Sequence, residues 1–174
     1  MKLDSNLVVF ITGGASGLGE ASVKYFLTHG CKVAIADIDT EKMEKFAKDL
    51  GSLANDEKFA YFKCDVTKED QVKEVIEKTV AKFGQLHVAL CSAGINLITP
   101  MLTSKTVLNT KAFKKIIDIN LMGSVYVAKY ATIAMSKNKP TQSGERGVLL
   151  FVSSIVGNEA PRGQVAYSAS KAAI

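Results

Sequence analysis

Apolar residues in this chain follow two rhythms that alternate along its length. The runs Leu7 to Thr12, Lys32 to Asp37, Phe59 to Lys63, Val88 to Cys91 and Gly147 to Ser153 are short and mostly apolar, as strands buried on both faces should be. Between them the apolar positions recur at helical spacing. Val72, Val75, Ile76, Val80 and Phe83 make one stripe, Thr40 to Leu50 reads as a helix, and Lys111 to Asn138 as a long one. Thr67 is placed to cap the helix that carries the stripe, with Glu69 and Asp70 in its first turn, where negative charge suits the dipole. Strand and helix in regular alternation predict an α/β fold: a doubly wound parallel sheet, strand order 3-2-1-4-5, covered on both faces. No linker, repeat or low-complexity segment interrupts it, so residues 1–174 read as one domain.

The positions that break these rhythms carry the candidate chemistry. The first strand runs into Gly13-Gly14-Ala15-Ser16-Gly17-Leu18-Gly19 and then a helix. Glycines at 13, 17 and 19 permit a tight turn, close backbone approach to a pyrophosphate, and close packing of a helix whose N-terminal amides face the anion. A glycine turn without a ligand has the same sequence. The second strand ends in Asp37, 20 residues beyond Gly17, where a carboxylate can accept from adenosine ribose hydroxyls and repel a 2′-phosphate. Ser16 stands where a basic residue would welcome that phosphate, so NAD is expected rather than NADP. Nearby Asp39 is either a second candidate or a simple helix cap.

Tyr167 and Lys171 are four apart, which on a helix puts phenol and ammonium on one face. A free tyrosine titrates near ~10 and a neighbouring cation favours its phenolate, so such a pair can move protons at neutral pH. An exposed tyrosine beside a solvated lysine has the same spacing. Asn120 shares its helical face with Phe113, Ile116, Ile117, Leu121 and Ser124, where an apolar side chain is expected. A buried amide needs partners, so Asn120 is either a satisfied core residue tying helix to sheet or a member of a site.

Composition narrows the classes. With 47% hydrophobic and 22% charged residues the chain is an ordinary globular sequence. It has no apolar run long enough to span a bilayer, and its first strand starts too near Met1 to leave room for a signal peptide. Cys31, Cys64 and Cys91 form no Cys-x-x-Cys pair, which points to reduced thiols packed in the core of an intracellular protein and away from structural zinc. The net charge of +5 is spread over helices as solvated faces, which speaks against a specific nucleic-acid role. Residues 97–110 and 137–146 read as polar excursions containing Pro and Gly.

Taken in order, Thr12-Gly13-x-x-x-Gly17-x-Gly19, Asp65, Ser92-Ala93-Gly94, Asn120, Ser154 and Tyr167-x-x-x-Lys171 resemble the signature set of the short-chain dehydrogenase/reductase family over the whole chain. Leu121-Met122-Gly123, Gly144-Glu145-Arg146-Gly147 and the long loop after Gly94 are similar to the type 2 3-hydroxyacyl-CoA dehydrogenases, which are also 17β-hydroxysteroid dehydrogenases. The resemblance implies a Rossmann-like fold and an oxidoreductase that uses NAD to interconvert a secondary alcohol, 3-hydroxyacyl-CoA or a hydroxysteroid, with its ketone. It implies a catalytic set of Asn120, Ser154, Tyr167 and Lys171. Tyr167 would be the acid or base, Lys171 would depress its pKa and bind the nicotinamide ribose, and Ser154 would hold the substrate oxygen. A hydroxyl ending a strand is the plainer account of Ser154.

The resemblance further implies that Asp65 and Val66 contact adenine, and that Ser16, Leu18, Ser92, Ala93 and Gly94 contact the rest of the dinucleotide. Cys91-Ser92-Ala93-Gly94 departs from the family's usual Asn-Asn-Ala-Gly. Also implied are a homo-oligomer when complete, no membrane partner, and fatty-acid metabolism in the mitochondrial matrix or cytoplasm. Family members continue beyond the catalytic helix, so the chain reads as C-terminally truncated, with its fifth strand an open edge. From that come three expectations for the 174-residue form: weak binding of NAD or ADP-ribose, no turnover, and self-association. The rival reading is a catalytically inactive nucleotide-binding or scaffolding protein, favoured by the truncation, which removes the substrate-binding C-terminus, and weakly by the basic charge.

Overall fold

The computed structural model describes residues 2–174. Five strands, β1 (Val8–Thr12), β2 (Lys32–Asp37), β3 (Phe59–Lys63), β4 (Val88–Cys91) and β5 (Val148–Phe151), form one sheet. Its order is β3-β2-β1-β4-β5, and every pairing is parallel. Six helices separate and follow them: α1 (Gly17–Thr28), α2 (Thr40–Leu50), α3 (Glu69–Phe83), α4 (Thr110–Ile117), α5 (Gly123–Met135) and α6 (Val165–Ala173). The expected doubly wound sheet is therefore present, with boundaries shifted by a few residues.

Alternation along β1 explains the two layers. Val8 and Phe10 face a cluster built with Val72, Val75 and Ile76 of α3 and Val127 and Ala131 of α5. Val9 and Ile11 face the opposite cluster, with Val23 and Leu27 of α1 and Met43 and Phe46 of α2. All five β1 residues are buried, which is why the strand reads as an unbroken apolar run. The sheet ends differently at β5, where Leu150 and Phe151 are 41% and 42% exposed. As an edge strand, β5 also offers unpaired backbone groups on its outer side.

Some details differ from expectation for clear physical reasons. Thr67 does not cap α3: its amide and hydroxyl both bond to Asp65 Oδ1, and the residue before Glu69 makes no side-chain cap. The expected long helix ends at Met135 rather than Asn138, because the Asn138 amide turns to the carbonyls of Leu86 (2.7 Å) and Arg146 (2.8 Å). Residues 97–110 are not a polar excursion, since Ile98, Met101, Leu102 and Val107 expose large apolar side chains. The three cysteines are free and buried, and burial pushes the Cys64 and Cys91 thiols up to about 12, which leaves them inert packing groups. Among the described residues no helix is long and apolar enough to cross a membrane.

At the opposite end of the sheet from the glycine turn, the Val8 amide donates to His87 Nδ1 at 3.0 Å, so that nitrogen must be unprotonated. Burial depresses the imidazole pKa, against a smaller opposing pull from Asp4. The folded protein thus binds fewer protons here than the unfolded chain just below pH ~6.5. Stability from this site should be complete above that pH and should fall as pH drops through the lowered folded value. Thermal unfolding of wild type and His87→Gln between pH 7.5 and 5 checks this: the wild-type midpoint should drop more steeply. Parallel curves would refute it.

Candidate active site

The C-terminal ends of all five strands surround a cavity of about 430 Å³. Its floor is the glycine turn. Gly13 has φ +66, and a Cβ there would lie 2.9 Å from Ala93 Cα, so only glycine lets the β1 and β4 loops meet. Gly19 is tighter still, since a Cβ would overlap the Gly13 carbonyl oxygen. Ser16 precedes α1 without capping it through its side chain, which leaves the first amides of the helix available to an anion. Gly13, Ser16 and Leu18 line the cavity; Gly17 and Gly19 shape the turn from outside its lining.

Asp37 stands at the end of β2 on the cavity wall. Its Oδ2 accepts from the Ala15 amide at 3.2 Å and its Oδ1 from the Asp39 amide at 3.1 Å. The carboxylate thus braces the glycine turn as well as facing the cavity. Asp39 proves to be the cap of α2, accepting from the Lys42 amide and pairing with the Lys42 ammonium at 3.0 Å. Both Lys42 bonds hold its carboxyl below the usual carboxylate range. Asp65 and Val66 line the next stretch of wall, and Ser92, Ala93 and Gly94 the stretch after β4. The Ala93 amide donates to Thr12 Oγ1 at 3.3 Å, tying that stretch to β1.

Tyr167 and Lys171 close the cavity from α6. Lys171 is only 7% exposed; its Nζ donates to the Val152 carbonyl at 2.7 Å and lies 5.7 Å from the centre of the Tyr167 ring. Burial pulls the lysine pKa below its ordinary value. Asn120 sits behind this pair, 1% exposed. Its Oδ1 accepts from the Ile95 amide (2.8 Å), and its Nδ2 donates to the Ile95 carbonyl and to Ser170 Oγ, both at 3.0 Å. A Cβ on Gly94 would stand 3.2 Å from Asn120 Oδ1 and 3.8 Å from Lys171 Nζ, so the three residues converge.

Asn120 reaches this point because the helix widens into a π turn over Asp118–Met122, between α4 and α5. Ser154 is placed less decisively. Its Oγ accepts from the Val156 amide at 3.4 Å to open a 3₁₀ turn at Ile155–Gly157, and neither Ser154 nor Asn120 is part of the cavity lining. Adjacent Ser153 instead donates to the Lys171 carbonyl at 2.8 Å, anchoring the end of α6.

Two further contributors escaped the sequence. Ser170 relays Asn120 to the Tyr167 carbonyl, donating to it at 2.8 Å; its place one turn after Tyr167 was the available signal. Val152 acts through a backbone carbonyl, for which side-chain chemistry gives no sign.

This geometry is accompanied by clear similarity to known proteins. The profile of the short chain dehydrogenase family matches residues 7–174. The 3-hydroxyacyl-CoA dehydrogenase type-2 of Homo sapiens is 36% identical over 97% of this chain and 63% of its own length. The Drosophila melanogaster protein of the same name is 34% identical over 97% of this chain and 65% of its own length. A crystal structure of 3-hydroxyacyl-CoA dehydrogenase type-2 from Mycobacterium avium superposes with a TM-score of 0.87 and 32% identity, over 99% of this chain and 66% of that one. The chain thus spans under two thirds of the length of each of these relatives. With its sheet order, glycine turn and matched profile taken together, the chain belongs to the short-chain dehydrogenase family.

Proposed function

We propose that this chain carries the dinucleotide site and proton-transfer residues of an NAD-dependent oxidoreductase that interconverts a secondary alcohol and a ketone, with 3-hydroxyacyl-CoA as the favoured substrate class. One observation carries the reading: a buried lysine held on a backbone carbonyl lies beside a tyrosine, and both face the cavity floored by the glycine turn. The relatives named for 3-hydroxyacyl-CoA support the substrate class.

The cavity suits a dinucleotide. Its glycines let the backbone of the turn and of the loop after β4 pack closely beneath it, and the uncapped start of α1 suits a pyrophosphate. Asp37 would hold the adenosine ribose, Asp65 and Val66 the adenine, and Ser92, Ala93, Gly94, Tyr167 and Lys171 the nicotinamide half. Bound there, a nicotinamide supplies hydride acceptance or donation. The chain's residues do the rest. In oxidation Tyr167 Oη takes the proton of the substrate hydroxyl, and in reduction returns it to the carbonyl oxygen. Lys171 sets a positive charge beside the phenol that gains negative charge, and the Val152 carbonyl fixes where that charge sits. Ser154 orients the substrate oxygen, and Asn120 locks Ile95 against α6 so that the reacting groups hold their distances.

The test is a titration of the protein expressed from its complete coding sequence. NAD should bind more tightly than NADP, because a 2′-phosphate would approach the Asp37 carboxylate with no cation in the glycine turn. Asp37→Ala should narrow the gap. It should also weaken NAD itself, because the Ala15 amide loses its brace. Turnover of 3-hydroxybutyryl-CoA with NAD should accompany binding. NADP preference, or NAD binding without turnover, would overturn the proposal.

A further inference from the structure

α6 bears both Tyr167 and Lys171, yet it begins without a cap of its own. Gln164 precedes it with no side-chain capping bond, and its Oε1 instead accepts from Asn96 Nδ2 at 3.4 Å. The missing acceptor comes from a distant part of the chain. Thr99, 67 residues earlier in sequence, accepts the Ala166 amide on its Oγ1 at 3.1 Å. Ala166 is in the first turn of α6 and immediately precedes Tyr167.

Thr99 is fixed in place for this task. It is 1% exposed, its own amide donates to the Gly163 carbonyl at 2.7 Å, and it forms a parallel bridge with Gln164. It also belongs to the loop after β4, in which Ile95 and Asn96 line the cavity and Ile98 is 85% exposed. The other end of α6 is held from the loop after β5, by Ser153 on the Lys171 carbonyl. The helix that carries the reacting pair is thus clamped at each end by a hydroxyl from a different loop.

We propose that Thr99 is a positioning residue: a cap supplied from 67 residues earlier in the chain by the β4–α4 loop, which sets the register of Tyr167. A capping oxygen satisfies an amide that would otherwise face a buried environment unpaired, and its loss frays the first turn. That turn contains Tyr167. The loop also holds the segment before the helix, through the Thr99 amide on Gly163 and Asn96 on Gln164, but of these bonds only the Thr99 hydroxyl reaches an amide inside the first turn.

The test uses Thr99→Val, which keeps shape and removes the acceptor, and Thr99→Ser, which restores it, in the protein expressed from its complete coding sequence. Amide hydrogen exchange needs no activity. In Thr99→Val the amides of residues 166–168 should exchange about fivefold faster or more, the scale of a lost cap, while amides of α1 stay unchanged and ADP-ribose binds as before. Thr99→Ser should return exchange to the wild-type rate. Unchanged exchange at 166–168, acceleration spread over the whole sheet, or failure of Ser to rescue would each overturn the proposal.

The second arm rests on the function proposed above. Thr99→Val should lower kcat by roughly tenfold with little change in KM for NAD, and shift the pH profile of kcat, because the displaced group is the phenol. A lower kcat together with a clearly raised KM for NAD and an unchanged profile would mark a purely structural role and overturn it. If the wild type shows no turnover, that function fails on its own account, and the exchange arm alone decides whether Thr99 is the cap.

Discussion

Tyr167→Phe is expected to lower oxidation of 3-hydroxybutyryl-CoA by at least ~100-fold, the scale of a lost general acid-base group, while NAD continues to bind. The substitution is narrow in its effect. Phenylalanine keeps the ring beside Lys171 and keeps every backbone bond of α6, including the Tyr167 carbonyl that accepts from Ser170. Only the hydroxyl leaves. A fall in turnover with unchanged NAD affinity therefore reports proton transfer rather than collapse of the site. Turnover near the wild-type level in this variant would remove Tyr167 from the mechanism, whatever the neighbouring lysine does.

Gly19→Ala should be the most damaging single methyl in the dinucleotide cradle. The added carbon would overlap the Gly13 carbonyl oxygen and stand 2.8 Å from the Gly13 carbonyl carbon and 3.1 Å from Gly14 Cα. All three are backbone atoms, which cannot rotate aside. Relief requires opening the turn, at a cost of about 1–3 kcal/mol in stability, and the opened turn no longer presents its amides to a pyrophosphate. NAD affinity should fall at least ~10-fold, the equivalent of about 1.4 kcal/mol. Gly17→Ala is the control: nothing lies within 4 Å of its added carbon, and its penalty comes from φ +54 alone. NAD titration of both variants should rank the loss at Gly19 above that at Gly17, with denaturant unfolding reporting the stability cost of each, and equal losses of affinity would contradict the steric account.

The sheet was legible because the central strands, buried on both faces, leave little room for charge, and because the partly exposed edge strands β3 and β5 stay mostly apolar as well. Each of the five apolar runs became a strand, and only the ends moved, as with Gly147 and Ser153 outside β5. Lines of the site were legible where a residue violates its surroundings. Asn120 interrupts an apolar stripe, and the glycines cluster where a strand should give way to a helix. What could not be read depends on distance in the chain. Thr67 has the right side chain for a cap, but Asp65 two residues earlier captures it. Thr99 has nothing in its own neighbourhood to mark it, because its partner lies in α6. Asp37 and Asp39 were ambiguous by sequence, and the folded backbone separated them into a brace for the glycine turn and a helix cap.

The π turn at Asp118–Met122 means that residue count, as well as residue identity, is encoded in the helix between β4 and β5. A turn widened by one residue leaves α4 and α5 each with ordinary periodicity but out of phase with one another by about 100°. Any substitution inside those five residues can be absorbed or rejected locally. A deletion of one of them cannot. It would restore an uninterrupted α-helix of better intrinsic hydrogen bonding, and in doing so rotate the whole of α4 relative to α5, carrying Asn120 off Ile95 and Ser170 together. The more regular helix would be the one that no longer fits the site, so apart from Asn120 this stretch should tolerate changes of letter far better than changes of length.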